Sequence, residues 1–226
     1  MSNRIKFYIT LQKLYKNAAV QISRYGLVKS LGLYSYKIAK RLFGVEIYAI
    51  IELPDEKIRP RGNNPYAFSR VTYDEWLSMA DFNSYDLDEA FLINAYKKGD
   101  ECFGAYLGNE LATYLWLAKS ATRLTENVLI EPSQEYVYCY KAYTLKKYRG
   151  RKILSSCLLE AYTNSYRKDH KGVLALVEYG NYSSFNAFYS MGFKQIGRVF
   201  YLERKKSSIV QTKVTKNRLL VSIHGQ

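Results

Sequence analysis

Histidine and cysteine are scarce in this chain of 226 residues, which holds only His170, His224, Cys102, Cys139 and Cys157. No two cysteines stand at Cys-x-x-Cys spacing, so there is no zinc cluster or dithiol redox pair, and little material for a histidine-based triad. Three scattered thiols fit a reducing compartment. Long apolar runs are missing as well. The longest near the start, Val45–Ile51, is seven residues and contains Glu46, whereas a spanning helix needs about 20. The first 30 residues lack the uninterrupted apolar stretch of a signal peptide. These absences predict a cytoplasmic protein, at most peripheral at the inner face of a membrane. Repeats and low-complexity linkers are also lacking. At 48% hydrophobic and 24% charged residues, the chain has the composition of an ordinary globular protein, and its length allows one to two domains.

Acidic residues are absent from both ends. Residues 1–45 hold nine basic side chains (Arg4, Lys6, Lys13, Lys16, Arg24, Lys29, Lys37, Lys40, Arg41) and residues 204–226 hold six, with no acid in either. The interior, 46–203, has nineteen basic against twenty acidic residues. The net charge of +14 therefore resides at the termini, which points to an anionic partner there. Three parts are expected: a basic amphipathic extension (1–45), a near-neutral domain (46–203) and a basic tail (204–226).

Two helical stripes mark the extension. Tyr8, Leu11, Tyr15, Ala18, Ala19 and Ile22 share one face; after Gly26 and Gly32, Leu31, Tyr34, Ile38 and Leu42 form a second, opposite Lys37, Lys40 and Arg41. Such helices either lie on anionic lipid or pack their stripes on the domain. Strands are expected at 45–52, 66–72, 102–107, 111–118, 136–144, 173–178 and 193–202, with helices at 74–82, 87–98, 150–168 and 182–190. Gly108-Asn109 suits a hairpin turn. Interleaved strands and helices imply a mixed α/β sheet. Arg218–Ile223 is either an added strand or part of a loose tail, and Val199–Leu202 reads as an edge strand through which two chains could pair. The stretches 54–65 and 119–134 read as loops.

The chemistry concentrates in two strand–turn–helix units. The first runs from the strand at 136–144 through Lys147-Tyr148-Arg149-Gly150-Arg151-Lys152-Ile153 into a long helix. Unpaired N–H groups at a helix start suit an anion, and three basic side chains add full charges. The second is Glu178-Tyr179-Gly180-Asn181-Tyr182-Ser183-Ser184, followed by Phe188-Tyr189-Ser190-Met191-Gly192-Phe193.

Together, Tyr148-Arg149-Gly150-Arg151…Leu158-Leu159 and Asn181-x-x-Ser184…Gly192-Phe193 resemble the GNAT superfamily of N-acetyltransferases, across roughly residues 66–202. The likeness extends to bacterial members with a basic N-terminal helical extension. It implies an α+β fold with a mixed, mostly antiparallel central sheet flanked by helices. It also implies transfer of an acyl group from acetyl-CoA to a primary amine of a small molecule, an amino sugar being one acceptor, with no metal. The family's motifs assign the donor to Tyr143, Thr144, Arg149, Gly150, Arg151, Lys152, Ile153, Leu154, Asn181, Ser184 and Phe188. A main-chain N–H around Tyr140–Tyr143 would stabilise the oxyanion.

The chain departs from the family at three of these positions. Lys152 stands where glycine is usual, Leu154 where glycine or alanine is, and Phe188 where a tyrosine is. Lys152 would either crowd the phosphates or reach them as a charge. Either Tyr189 replaces the missing phenol, or the thiolate leaves unassisted, as a group with a pKa of about 8.5 can. Glu178 is the candidate general base, or a surface carboxylate. Asn181 holds the cofactor or caps a helix. Tyr138, Tyr140 and Tyr143 line the acceptor site or pack as strand tyrosines do; Cys139 and Cys157 read as buried apolar residues. Two alternatives remain. An acidic acyl carrier protein could be the donor, drawn by the basic ends, or the domain could be a non-catalytic module anchored through them. A neutral central domain argues against nucleic acid.

Overall fold

The computed structural model describes residues 23, 26–59, 65–79, 82–126, 128–202, 208–211 and 217–223. The first helical stripe lies outside the described residues, as do parts of the basic tail. The second stripe belongs to α1 (Leu27–Phe43), bounded by Gly26 and Gly44. Gly32 does not interrupt it. α1 buries Ser30, Leu33 and Tyr36, while Leu31, Ile38 and Leu42 are 58, 59 and 54% exposed. The expected stripe thus does not pack on the domain, and a face one step around the helix does.

The strands are β1 (Val45–Pro54), β2 (Ala67–Val71), β3 (Glu101–Leu107), β4 (Glu110–Ala118), β5 (Thr122–Thr125), β6 (Val128–Pro132), β7 (Tyr136–Thr144), β8 (Gly172–Glu178), β9 (Lys194–Leu202), β10 (Ser208–Gln211) and β11 (Leu219–Ile223). Between them run α2 (Tyr73–Ser78), α3 (Glu89–Lys98), α4 (Ile153–Ser165) and α5 (Tyr182–Met191). Eight strands form one sheet in the order β10-β9-β1-β8-β7-β4-β3-β2. Every pair in it is antiparallel except β7 with β8. Parallel neighbours need a crossover, and α4 provides it.

Two expectations are corrected here. Residues 119–134 are not a plain loop: they hold β5 and β6, which join β11 in a second sheet of order β11-β6-β5. Val199–Leu202 is not a sheet edge, because β10 pairs with it from Ser208↔Leu202 to Gln211↔Val199. β11 takes the added-strand option for the tail. Arg218 before it donates to Glu52 Oε1 at 3.1 Å, and Glu52 is buried.

The large sheet is covered on both sides. α4 packs Leu158 and Tyr162 against Leu115, Leu117, Val137 and Val173 on one face. On the other, the small sheet covers Tyr138, Leu174 and Val199, and α2 and α3 cover Tyr114 and Trp116 with Trp76 and Leu92. This explains the nearly unbroken apolar sequence of β4, buried from Leu111 to Ala118: a strand covered on both faces has no polar side. Each fully buried aliphatic side chain contributes about 1.5–3 kcal/mol.

Candidate active site

The pocket originates in the sheet. β7 and β8 pair from Tyr136↔Gly172 to Cys139↔Ala175 and no further. At that point the β7–β4 register slips: Leu117 faces Cys139 but Trp116 faces Lys141, so Tyr140 is an extra residue. Such a bulge puts two successive side chains on one face. Accordingly, Tyr140 and Lys141 both approach the Phe91 ring, at 6.1 and 5.0 Å. Beyond the bulge β7 is held by β4, ending at Thr113↔Thr144, and β8 by β1, ending at Tyr48↔Glu178. The two central strands splay around a cavity of about 840 Å³. The stretch of β7 around Tyr140–Tyr143, named from the family resemblance, borders it.

One end of the cavity is the β7–α4 turn. Gly150 has φ +81 and Lys152, the N-cap of α4, has φ 60 and ψ 19. Lys152 therefore adopts the left-handed backbone for which glycine is favoured, at a cost of roughly 1–2 kcal/mol. It caps nothing with its side chain, so the first N–H groups of α4 stay available to an anion. Ser155 in that turn lines the cavity, is 3% exposed, and its Oγ has no hydrogen-bond partner. A buried hydroxyl in that condition lacks about 1–3 kcal/mol that a ligand could restore. Arg149 is pinned at the rim: Nε donates to the Thr144 carbonyl at 3.0 Å, and its guanidinium lies 5.5 Å over the Tyr143 ring. The Thr144 hydroxyl lies 2.8 Å from that of Thr113.

α5 forms the opposite wall. Asn181 is its N-cap, Oδ1 accepting from the Ser184 N–H at 3.2 Å, so the capping geometry is present in a residue that also lines the cavity. At 100° per residue, Ser183, Ser184, Ala187, Phe188 and Met191 share the cavity side. Phe188 is buried, edge-on to Phe193 at 4.9 Å. Tyr182, Phe185 and Tyr189 fall on the other side. Tyr189 is 44% exposed beside Phe185 and does not line the cavity. Arg151 is likewise outside it, its guanidinium 5.6 Å over the Tyr148 ring. The phase of the helix turns Tyr189 away, so it is not placed to replace the missing phenol. Every other residue assigned to the donor or as base (Tyr143, Thr144, Arg149, Gly150, Lys152, Ile153, Leu154, Glu178, Asn181, Ser184, Phe188) borders the cavity, as does Tyr140, whereas Tyr138 packs under the small sheet.

Glu178 does so as part of a network that the sequence did not reveal. Its Oε1 accepts from Lys40 Nζ at 2.7 Å and from the Tyr36 hydroxyl at 3.0 Å, both donors on α1. Lys40 also pairs with Glu46 at 2.9 Å. Burial opposes the Lys40 ammonium, but hydrogen bonds to Glu178 and Glu46 carry its pKa above the usual lysine range. Burial, with the Glu178 charge adding to it, pushes Tyr36 up to about 12. α1 also presses on the β8–α5 turn. A Cβ on Gly180, whose φ is +90, would lie 2.3 Å from Leu33 Cδ1, and the Tyr182 hydroxyl donates to the Lys29 carbonyl at 3.1 Å. The described part of the extension thus supports the pocket wall directly.

Asp86, Lys141, Ser155 and Asn186 also line the cavity and were not anticipated. Asp86 has φ 60 and stands 3.6 Å from Lys141; Asp is one of the few side chains that tolerates this backbone, which was its only sequence signal. Cys139 borders the cavity too, but burial pushes its thiol up to about 12, which rules it out as a thiolate nucleophile near neutral pH. Among the described residues, no three His, Cys, Asp or Glu side chains gather where they could hold a metal, and no helix is long and apolar enough to cross a membrane.

No protein-family model matches the chain, and no curated protein matches it significantly. Solved structures do. An acetyltransferase from the GNAT family from Colwellia psychrerythraea is 14% identical with a TM-score of 0.50, over 74% of this chain and 55% of its own. A functionally unknown conserved protein from Staphylococcus epidermidis is 10% identical with the same TM-score of 0.50, over 73% of this chain and 63% of its own. The chain spans less than two thirds of the length of either structure. Likeness at such low identity concerns architecture, and the mostly antiparallel central sheet flanked by helices agrees with it. The protein carries the fold of the GNAT acetyltransferases.

Proposed function

We propose that this protein transfers an acyl group from the thioester of acyl-CoA to a primary amine of a small molecule. The observation that carries the reading is the opening of β7 from β8 between a basic helix start and a capped helix. The pyrophosphate fits the N–H groups of Ile153, Leu154 and Ser155, with Arg149 and Lys152 beside them and the orphaned Ser155 hydroxyl within the same turn. Gly150 leaves open space there, since a Cβ on it would touch nothing within 4 Å. The acyl end would then enter the splay. The amine nitrogen attacks the thioester carbonyl carbon, a main-chain N–H of the bulged stretch of β7 stabilises the oxyanion, and the C–S bond breaks with its electron pair on sulfur. The nitrogen's proton goes to a base. For that role we propose Glu178, whose Oε1 is occupied by Lys40 and Tyr36 and whose Oε2 remains for the amine or a bridging water. Without a phenol on the cavity side of α5, the thiolate leaves unassisted.

A second donor is favoured by one feature. Lys146, Lys147, Arg149, Arg151 and Lys152 fall within the seven positions that lead into α4, a basic stretch beside the cavity mouth suited to an acidic carrier protein bearing the same thioester arm, with Lys147 itself paired to Glu110. Calorimetric titration of acetyl-CoA, followed by detection of the freed thiol with a panel of amines that includes amino sugars, tests the reading. Micromolar binding and amine-dependent thiol release support it. No binding, with release only from an acyl carrier protein, would move the donor assignment; neither would leave a non-catalytic binding module.

A further inference from the structure

We propose that the outward face of α1 is a docking surface for an anionic lipid bilayer, a property that does not rest on the reading of the pocket. Leu27, Val28, Leu31 and Ile38 on this face are 58, 83, 58 and 59% exposed, although the helix is already folded onto the domain through Ser30, Leu33 and Tyr36. At 100° per residue Leu27, Leu31 and Ile38 fall within one narrow sector, making a strip about 16 Å long. The strip is therefore not the core-facing side of this helix.

Charge identifies the occupant. α1 contains no acidic residue. At 100° per residue Arg41 flanks the strip on one side, with Lys37 a step further towards the buried face, and the acids nearest its inner side, Glu46 and Glu178, are both bound to Lys40. A second copy of the chain laid on the strip would press two wholly basic helices together. Residues 1–25 would do the same, since they hold five basic side chains and no acid. An anionic bilayer meets both the apolar strip and the basic border, the strip lying in the headgroup zone with lysine and arginine at phosphate level. The inner side of α1 makes this a docking of the whole domain. Lys40 and Tyr36 bind Glu178, and Leu33 fills the space that Gly180 leaves open. The pocket wall carrying Glu178 would lie about one helix diameter, 10–12 Å, from the lipid surface.

The test is vesicle co-sedimentation of the full chain, comparing phosphatidylcholine alone with phosphatidylcholine containing about one quarter phosphatidylglycerol. The double variant Leu31→Gln/Ile38→Gln runs alongside, both sites being exposed enough to leave the fold intact. Expected are salt-sensitive binding to the anionic vesicles only, and at least a ~10-fold weaker partition for the variant at unchanged Tm. Equal partition of variant and parent would overturn the proposal. So would absence of vesicle binding, whether with a dimer that sedimentation velocity shows the variant to dissolve (a second copy on the strip) or with a Tm lowered by several degrees in the variant (the chain's own residues on it).

Discussion

Replacing Lys152 by glycine separates two effects that this residue combines. Its φ of 60 and ψ of 19 cost a side-chain-bearing residue roughly 1–2 kcal/mol. Glycine removes that strain but adds roughly 0.5–1 kcal/mol of unfolded-chain freedom. The net gain is about 0.5–1 kcal/mol, or a Tm higher by about 1–4 °C in a chain of this size. Lys152→Ala keeps the strained backbone and should show no such gain. Both variants lose the ammonium beside the first turn of α4. A solvent-exposed charge-assisted contact to phosphate is worth about 1.4 kcal/mol after screening, so both should bind acetyl-CoA about tenfold more weakly. Differential scanning calorimetry and isothermal titration read the two quantities independently. A Lys152→Gly protein no more stable than Lys152→Ala would refute the strain argument. Tighter binding of acetyl-CoA by the glycine variant would show instead that the lysine crowds the phosphates.

Further expectations follow from particular contacts. Gly180→Ala combines a backbone at φ +90 with a Cβ 2.3 Å from Leu33 Cδ1 and should destabilise by about 2–4 kcal/mol; Leu33→Ala in the same chain should recover part of it, and strictly additive losses in a denaturant cycle would contradict the contact. Arg218→Ala leaves the buried Glu52 carboxylate without its guanidinium and should cost about 1–3 kcal/mol, partly restored by Glu52→Gln; an unchanged unfolding midpoint would mean that the tail is not anchored there. Tyr189→Phe should keep kcat within about twofold, since a general acid would be worth at least about 100-fold; a loss of that size would return Tyr189 to the chemistry. Burial pushes the Cys139 thiol up to about 12, above the ordinary value of about 8.5, so it stays protonated at pH 8. Its alkylation at pH 8, followed by mass spectrometry, should be at least ~100-fold slower than that of a free thiol, and labelling at the free-thiol rate would show an ordinary, accessible cysteine.

The elements and the phosphate-side wall were legible in the sequence because both depend on local rules. A strand running into Arg149-Gly150-Arg151-Lys152 and then a long helix places unpaired N–H groups at the turn whatever packs around it. Asn181 three residues before Ser184 caps the next helix by the same local geometry. The unexpected glycine-type backbone at Lys152 sits at the position where a side chain stands in place of the family's glycine. β5 and β6 were missed because strands of four and five residues have little periodicity of their own; β6 is stabilised by β11, from Leu219↔Pro132 to Ile223↔Val128, a pairing across 87 to 95 positions.

The amino-acid sequence by itself determined where backbone donors gather, where the longer strands and helices fall, and that positive charge lies at the ends, since each follows from neighbours within a few positions. Tertiary structure alone decided the rest. The sheet opens at Tyr140 because β4 goes on pairing with β7 as far as Thr144 while β8 pairs with it only as far as Cys139. The phase of α5 turns Tyr189 outward because Phe188 is the side chain that fits against Phe193. Glu178 is bound by Lys40, 138 positions earlier, because α1 lies across the end of β8. Contacts at such separations depend on how the layers stack, and no spacing along the chain encodes them.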